Sequence, residues 1–237
     1  MPTVSHILNQ HAAPFGITLT DTQLMRFDRY AAFLLDWSTR MNLTAIKDDE
    51  GIAVKHFLDS ILLVQKVGIA EGASLIDVGS GAGFPGVPVK IMREDVAVTL
   101  ADSTNKRITF LTELLKELSL TGSTVHARAE ELGCDKGYRE RYDIATARAV
   151  AHLRELTEYC LPFVKTGGVF AAMKSGNVDT ELNEAARAIK TLGGEVQEVL
   201  RFTLPDAGER TIVLIKKISR TPTGYPRAGA KMAKNPL

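Results

Sequence analysis

Leu75-Ile76-Asp77-Val78-Gly79-Ser80-Gly81-Ala82-Gly83-Phe84-Pro85-Gly86 holds the residues best suited to chemistry in this chain. An apolar run ends in a loop with a glycine at every second position, and Pro85 and Pro88 stand where a helix would open. Glycines allow a tight turn with the backbone pressed against a ligand, and the helix that follows aims its amides at that ligand. The expectation is a nucleoside-binding loop. Gly81 to Gly86 satisfies the G-x-G-x-x-G spacing of dinucleotide folds, a weak match when it stands alone.

Two details favour a different ligand. The strand ends at Gly79 rather than Gly81, and Asp77 lies inside it, two residues before the first glycine. The spacing Asp-x-Gly-x-Gly-x-Gly resembles the loop with which methyltransferases hold the methionine end of S-adenosyl-L-methionine, making Asp77, Gly79 and Gly81 candidate cofactor-binding residues. Asp102 closes the second strand, where an acid can accept both ribose hydroxyls of a nucleoside. That placement would serve NAD equally, or cap the next helix. His56 and Asp59 fall at i and i+3, one helical face apart, and read as a hydrogen-bonded structural pair before a catalytic relay. Asn42 either touches substrate at the mouth of the site or fixes the connector between two helices. The five histidines (His6, His11, His56, His126, His152) and the cysteines Cys134 and Cys160 have no metal-ligand spacing, so no metal is expected.

These residues need a scaffold, and the chain changes grammar near residue 73. Residues 1–66 read as a helical cap. Thr20-Asp21-Thr22-Gln23 fits a capping box, Leu24, Phe27, Ala31, Leu34 and Leu35 share one face behind it, and Asp48, Asp49 and Glu50 suit the positive end of a second helix. In residues 67–218 strands alternate with helices: strands are expected at 75–78, 96–101, 122–127, 142–147 and 168–173, with an amphipathic helix over 104–118. Such alternation implies a mostly parallel sheet covered on both faces. Residues 196–204 and 210–218 are joined by only five residues, which demands an antiparallel hairpin. The fold class expected is α/β, Rossmann-like, with a seven-stranded mostly parallel sheet. The terminal hairpin resembles the closing strands of class I methyltransferases and favours a methyl donor over nicotinamide.

Composition is that of an ordinary globular chain of 237 residues, 45% hydrophobic and 24% charged. Two cysteines cannot build a disulfide framework, the polar residues His6, Asn9, Gln10 and His11 interrupt any apolar leader, and no run suits a membrane span; the expectation is a cytoplasmic protein with no membrane partner. The net charge of +1 conceals an asymmetry. Six of the 29 basic residues fall in 216–237, which holds no acid, leaving 23 basic against 28 acidic residues before it. The last segment, 219–237, carries Pro222, Gly224, Pro226, Gly229 and Pro236, and reads as a basic tail without regular structure that becomes ordered on RNA.

Further motifs follow in order: Asn42-Leu43-Thr44-Ala45-Ile46, His56-Phe57-Leu58-Asp59-Ser60, Asp77 to Pro88, Asp102-Ser103-Thr104-Asn105-Lys106-Arg107, Thr146-Ala147-Arg148-Ala149 and Gly208-Glu209-Arg210. Together they resemble the bacterial ribosomal RNA small subunit methyltransferase G family (glucose-inhibited division protein B), over about residues 40–217, and Thr221-Pro222 with Tyr225-Pro226-Arg227 resembles one branch of it. The resemblance implies S-adenosyl-L-methionine-dependent methylation at N7 of a guanine in the loop around the decoding centre of 16S rRNA, with the rRNA or the small ribosomal subunit as partner; a monomer is expected. It also implies cofactor contacts at Gly79, Phe84, Ala129, Glu130 and Arg148. Guanine N7 carries a lone pair and no proton, so no general base is needed, and no catalytic residue is nominated. N7 lies in the deep major groove of A-form RNA, so the target must be unstacked, and Phe57 or Phe84 could pack against it, although core is the commoner role for either. Two other functions stay open on sequence alone: methylation of a small molecule, and ribosome binding without turnover.

Overall fold

Alternation of strand and helix builds one seven-stranded sheet in the computed structural model, which describes residues 2–148 and 151–237. The strands are β1 (Ser74–Val78), β2 (Ala97–Asp102), β3 (Ser123–His126), β4 (Tyr142–Arg148), β5 (Val164–Ser175), β6 (Gly194–Leu204) and β7 (Gly208–Lys217). Their spatial order is β3-β2-β1-β4-β5-β7-β6. β1 to β5 run parallel, and β7 is antiparallel to both of its neighbours. β1 has β2 on one side and β4 on the other, so the connections leaving β1 and β4 diverge. A crevice therefore opens at the carboxyl ends of the central strands.

The cap begins with α1 (Val4–Ala12) and α2 (Asp21–Ser38). The Thr20–Gln23 capping box forms as expected, and the Gln23 side chain reaches on to the Ile91 and Met92 carbonyls at 3.4 Å. Phe27, Tyr30, Ala31 and Leu34 bury one face of α2. The second expected helix is composite: α3 (Asp49–Gly51), a π-helical stretch over Ile52–Leu58, and α4 (Asp59–Val67). Asp48 caps it through the Gly51 amide at 2.7 Å. The remaining helices are α5 (Gly86–Met92), α6 (Asn105–Glu117), α7 (Ala129–Leu132), α8 (Leu153–Cys160), α9 (Asp179–Thr191) and α10 (Gly229–Lys234).

Two apolar clusters sandwich the sheet. One runs without a break from Val4 and Leu8 through Phe57 and Leu62 to Leu100, Phe110 and Leu214, so the cap shares a core with one sheet face. The other joins α8 and α9 to the opposite face through Leu156, Phe163, Phe170 and Ile189. Expected and observed strand limits agree within two residues except at β5, which starts four residues early at Val164. Among the described residues no helix is long and apolar enough to cross a membrane, and no three His, Cys, Asp or Glu side chains gather in metal-binding geometry.

The C-terminal segment corrects the sequence reading. It is not an extended arm: residues 229–234 form α10, Thr221, Pro226 and Met232 are buried, and Arg227 pairs with the buried Glu158 of α8. The prolines and glycines that discourage a long helix are instead used for a path that follows the protein surface.

Candidate active site

The loop after β1 is built from left-handed turns. Gly79, Gly81 and Gly83 have φ of 73°, 58° and 97°, a region that side chains with a Cβ rarely enter. A Cβ at Gly81 would meet nothing closer than the Gly79 carbonyl at 3.8 Å, so its backbone borders open space. At Gly83 and Gly86 the opposite holds: a Cβ would lie 2.6 Å from the Tyr30 hydroxyl and 2.4 Å from Leu100 Cδ2. Those glycines serve close packing and Gly81 serves access.

Asp77 lies beneath this loop, not in the crevice. It is fully buried, and its Oδ2 accepts the Gly86 amide at 2.9 Å, which ties the start of α5 to β1. Oδ1 has no partner. Burial, opposed by the Gly86 N–H bond, pushes its carboxyl up to about 7. Asp102 sits at the end of β2 with both oxygens engaged. Oδ2 accepts the Gly81 amide at 3.0 Å and meets Arg107 at 3.4 Å, while Oδ1 accepts the Thr104 amide at 2.8 Å. One carboxylate therefore ties the start of α6 to the glycine loop after β1.

The cap pins the same loop from above. Tyr30 of α2 is buried and donates its hydroxyl to the Ala82 carbonyl at 2.5 Å. Its ring stacks on Phe84 at 5.2 Å, and His56 stacks on the other face of Phe84 at 4.5 Å. Phe84 is thus the middle layer of a three-ring stack, and Phe57 is fully buried behind it, so both serve the core. Tyr30 went unnoticed in the sequence. The available signal was a tyrosine on a buried helical stripe, since a buried phenol needs a hydrogen-bond partner.

His56 and Asp59 do not bond to each other. The segment before Asp59 is π-helical, so i and i+3 are not stacked as in an α-helix, and both residues turn to Arg148 instead. Arg148, at the end of β4, donates to Asp59 Oδ2 at 3.0 Å and to the Lys55 carbonyl at 3.1 Å, and its guanidinium lies 4.8 Å from the Phe84 ring centre. Arg210 from β7 approaches the other Asp59 oxygen at 3.5 Å. Burial raises the Asp59 pKa, and the two arginines oppose that rise. Burial and then Arg148 lower His56 to about 4, which keeps its ring neutral. Arginine can only donate, so Nδ1, 3.4 Å from Arg148, is the acceptor and Nε2 donates to Thr44 Oγ1 at 2.7 Å. Of the motif 146–149, Ala149 lies outside the described residues.

Three cavities run together along the crevice. The largest, about 670 Å³, is lined by Gly79, Asp102, Ala129, Glu130, Tyr159 and Gly229 among others. It shares Gly79, Asp102 and Ser103 with a second of about 370 Å³ bordered by Gly81, Phe84 and Arg148. The second shares His56 and Arg148 with a third of about 350 Å³, which is ringed by Lys55, Lys174 and Arg210 around Asp59. Gly79, Gly81, Phe84, Asp102, Ala129, Glu130 and Arg148 line these adjoining cavities together with His56 and Asp59, whereas Asp77, Asn42 and Phe57 are not among the lining residues. The basic basin at the far end of the crevice was visible in the sequence only as Arg148 and the Gly208-Glu209-Arg210 motif.

Comparison with known proteins agrees with this architecture. A curated relative from Acetivibrio thermocellus, named ribosomal RNA small subunit methyltransferase G, is 50% identical over 233 residues, covering 98% of this chain and 96% of the relative. One of the same name from Staphylococcus carnosus is 50% identical over 224 residues, covering 93% of each. Solved structures share the fold: a precorrin-6y C5,15-methyltransferase from Geobacter metallireducens superposes with a TM-score of 0.52 at 13% identity, covering 75% of this chain and 91% of its own. A geranyl diphosphate C-methyltransferase from Streptomyces coelicolor, solved with S-adenosyl-L-homocysteine, gives 0.52 at 12% identity over 68% of this chain and 79% of its own. The family model described as rRNA small subunit methyltransferase G matches residues 23–213, and the chain belongs to that family.

Proposed function

We propose that this chain transfers a methyl group from S-adenosyl-L-methionine to N7 of a guanine in 16S rRNA, acting as a monomer in the bacterial cytoplasm. The observation that carries the reading is the continuous groove, which runs from a nucleoside-sized cavity past an open glycine backbone into a basic basin. The donor set fits the cofactor. In this reading Asp102 at the end of β2 takes the ribose, Ala129 and Glu130 the adenine, and the backbone at Gly79 and Gly81 the amino-acid end, all of them lining the groove. When bound, S-adenosyl-L-methionine supplies an electrophilic methyl group.

The protein's own part is positioning. N7 has no proton to lose, and the titratable groups around the glycine loop, His56, Asp59 and Asp102, are engaged within the fold. His56 is neutral with its Nε2 on Thr44, Asp59 is held by two arginines, and Asp102 accepts the Gly81 and Thr104 amides while keeping lone pairs for a ribose. Holding two reactants in line is worth up to about 7–11 kcal/mol, enough to carry most of such a reaction without a base. Lys55, Arg148, Lys174 and Arg210, set against only Asp59 and Glu181, leave the basin net positive, which suits an RNA phosphate beside the target. The test is transfer of labelled methyl to small subunits lacking the modification, with mapping of the modified base. Transfer to any atom other than a guanine N7 rejects the assignment. Calorimetry of wild type and Gly81→Val with the methyl donor and with NAD tests the cofactor: the donor binds wild type only, and NAD binds neither.

A further inference from the structure

The C-terminal segment passes along the wall of the largest cavity on its way to Leu237. Gly229 and Ala230 line it together with Ala129 and Glu130 of α7 and Glu155 and Tyr159 of α8. Gly229 is close enough to Glu130 that a Cβ there would lie 2.7 Å from Oε1. Two residues earlier, Arg227 clamps the segment onto α8. Its amide and Nε both reach Glu158 Oε1, at 2.8 and 2.9 Å, and a terminal guanidinium nitrogen reaches Oε2 at 2.7 Å. Glu158 is 1% exposed and lies between Glu155 and Tyr159 on the same helix, so the clamp and the cavity wall share one rigid element.

The approach to this point is fixed as well. The Arg139 guanidinium donates to four carbonyls, those of Gly133, Thr221, Pro222 and Tyr225, between 2.7 and 3.2 Å. The Thr221 amide donates to Glu140 at 2.8 Å, and buried Lys217 donates to the Leu161 carbonyl at 2.7 Å. Two of the six tail cations, Lys217 and Arg227, are thereby turned inward.

We infer that residues 227–230 form the outer wall of the adenine end of the cofactor site, with Arg227 as the positioning residue that holds the wall against α8. This rests on the cofactor reading above. A bidentate arginine–carboxylate pair fixes both distance and angle, which a lysine cannot reproduce. Losing it leaves a buried Glu158 carboxylate without its partner and frees the segment that bounds the cavity. The wall faces the cofactor, far from the basic basin, so it governs donor affinity and leaves RNA affinity alone.

The test uses full-length protein with Arg227→Ala, Arg227→Lys and Ala230→Trp, the last filling the cavity without touching the clamp. S-adenosyl-L-homocysteine binding is measured by calorimetry well below each variant's melting temperature, and RNA binding is measured across salt. The expected result is a Kd at least tenfold higher for Arg227→Ala and Ala230→Trp, with partial recovery in Arg227→Lys. KM for the methyl donor should rise with kcat at saturation within twofold, and the RNA salt slope should not move. Wild-type binding with all variants within twofold overturns the inference while sparing the cofactor reading. A wild type that binds no S-adenosyl-L-homocysteine overturns both. A lower melting temperature with unchanged Kd assigns the clamp to stability alone and also overturns the inference.

Discussion

Tyr30→Phe isolates the link between the helical cap and the cofactor loop. The substitution keeps the ring, and with it the 5.2 Å stack on Phe84, and removes only the hydroxyl that reaches the Ala82 carbonyl. The site is sealed, since Tyr30 is fully buried and Ala82 is 6% exposed, so no bulk water takes the place of the lost donor. An unpaired buried carbonyl costs about 1–3 kcal/mol. In a chain of this size about 1 kcal/mol corresponds to about 2–4 °C, so the melting temperature should fall by about 2–12 °C. Ala82 lies in the glycine loop, and the part of that energy devoted to ordering the loop must reappear in cofactor affinity. At about 1.4 kcal/mol per tenfold change, KM for the methyl donor should rise roughly three- to tenfold, with kcat within about twofold. Thermal melts with and without donor, and initial rates across donor concentration, read both effects. A melting temperature that falls with donor KM unchanged would falsify the claim that the cap organises the loop, leaving Tyr30 a core residue only.

Asp77 predicts a pH effect of definite sign. Its folded pKa, raised by burial to about 7, means its stabilisation is complete below the unfolded carboxylate range and is lost as pH rises through about 7, so Asp77→Asn should flatten wild-type melts between about pH 4 and 8. Single-turnover methylation at saturating donor should be nearly flat across about pH 6.5–8.5, with any titration confined to donor KM; a bell-shaped chemical step would argue for acid–base catalysis and against N7. Asp59→Asn removes the carboxylate shared by Arg148 and Arg210 and should cost about 3–5 kcal/mol in denaturant melts, whereas a loss under about 1 kcal/mol would mean the arginines are held by other bonds. Lys55→Ala, at an exposed position on the basin rim, should reduce the slope of log RNA affinity against log salt by about 0.7–0.9; an unaltered slope moves the phosphate elsewhere.

Much of the fold was legible because its signals are local. The capping box, the strand-to-glycine transition at Val78-Gly79 and the closing hairpin each depend on neighbours in sequence; the first two appear where expected, and the hairpin turns over residues 205–207, three residues rather than five. The candidate residues Gly79, Gly81, Asp102, Ala129, Glu130 and Arg148 were legible as a group by the same means, since all lie at or just after strand ends at one edge of a parallel sheet, and they line adjoining cavities. What failed depended on distant partners or on unusual helix geometry. Asp77 was placed against the ligand because spacing cannot tell which side of a loop a carboxylate holds. His56 and Asp59 were paired on α-helical spacing, and π-helical backbone over Ile52–Leu58 turned both toward Arg148, 92 and 89 residues away.

The C-terminal segment shows why net charge is a poor guide to where charge points. Six cations and no acid in residues 216–237 suggest attraction to phosphate, yet their effect depends on the acids they find within the fold. Glu158 and Glu140 come from stretches that read only as unremarkable helix and loop, and both are aimed at the segment. Once Lys217 and Arg227 are neutralised within the fold, Lys216, Arg220, Lys231 and Lys234 remain to face solvent or RNA. Removing residues 219–237 deletes three of those four, so the RNA salt slope can fall by no more than about 2–3 units, at roughly 0.7–0.9 per phosphate contact. The same truncation opens the nucleoside cavity. A tail that served RNA alone would change the slope and leave donor affinity intact, whereas a tail that is the cavity wall must change donor affinity first, because it is clamped to α8 by Arg227 and lines the cavity at Gly229 and Ala230.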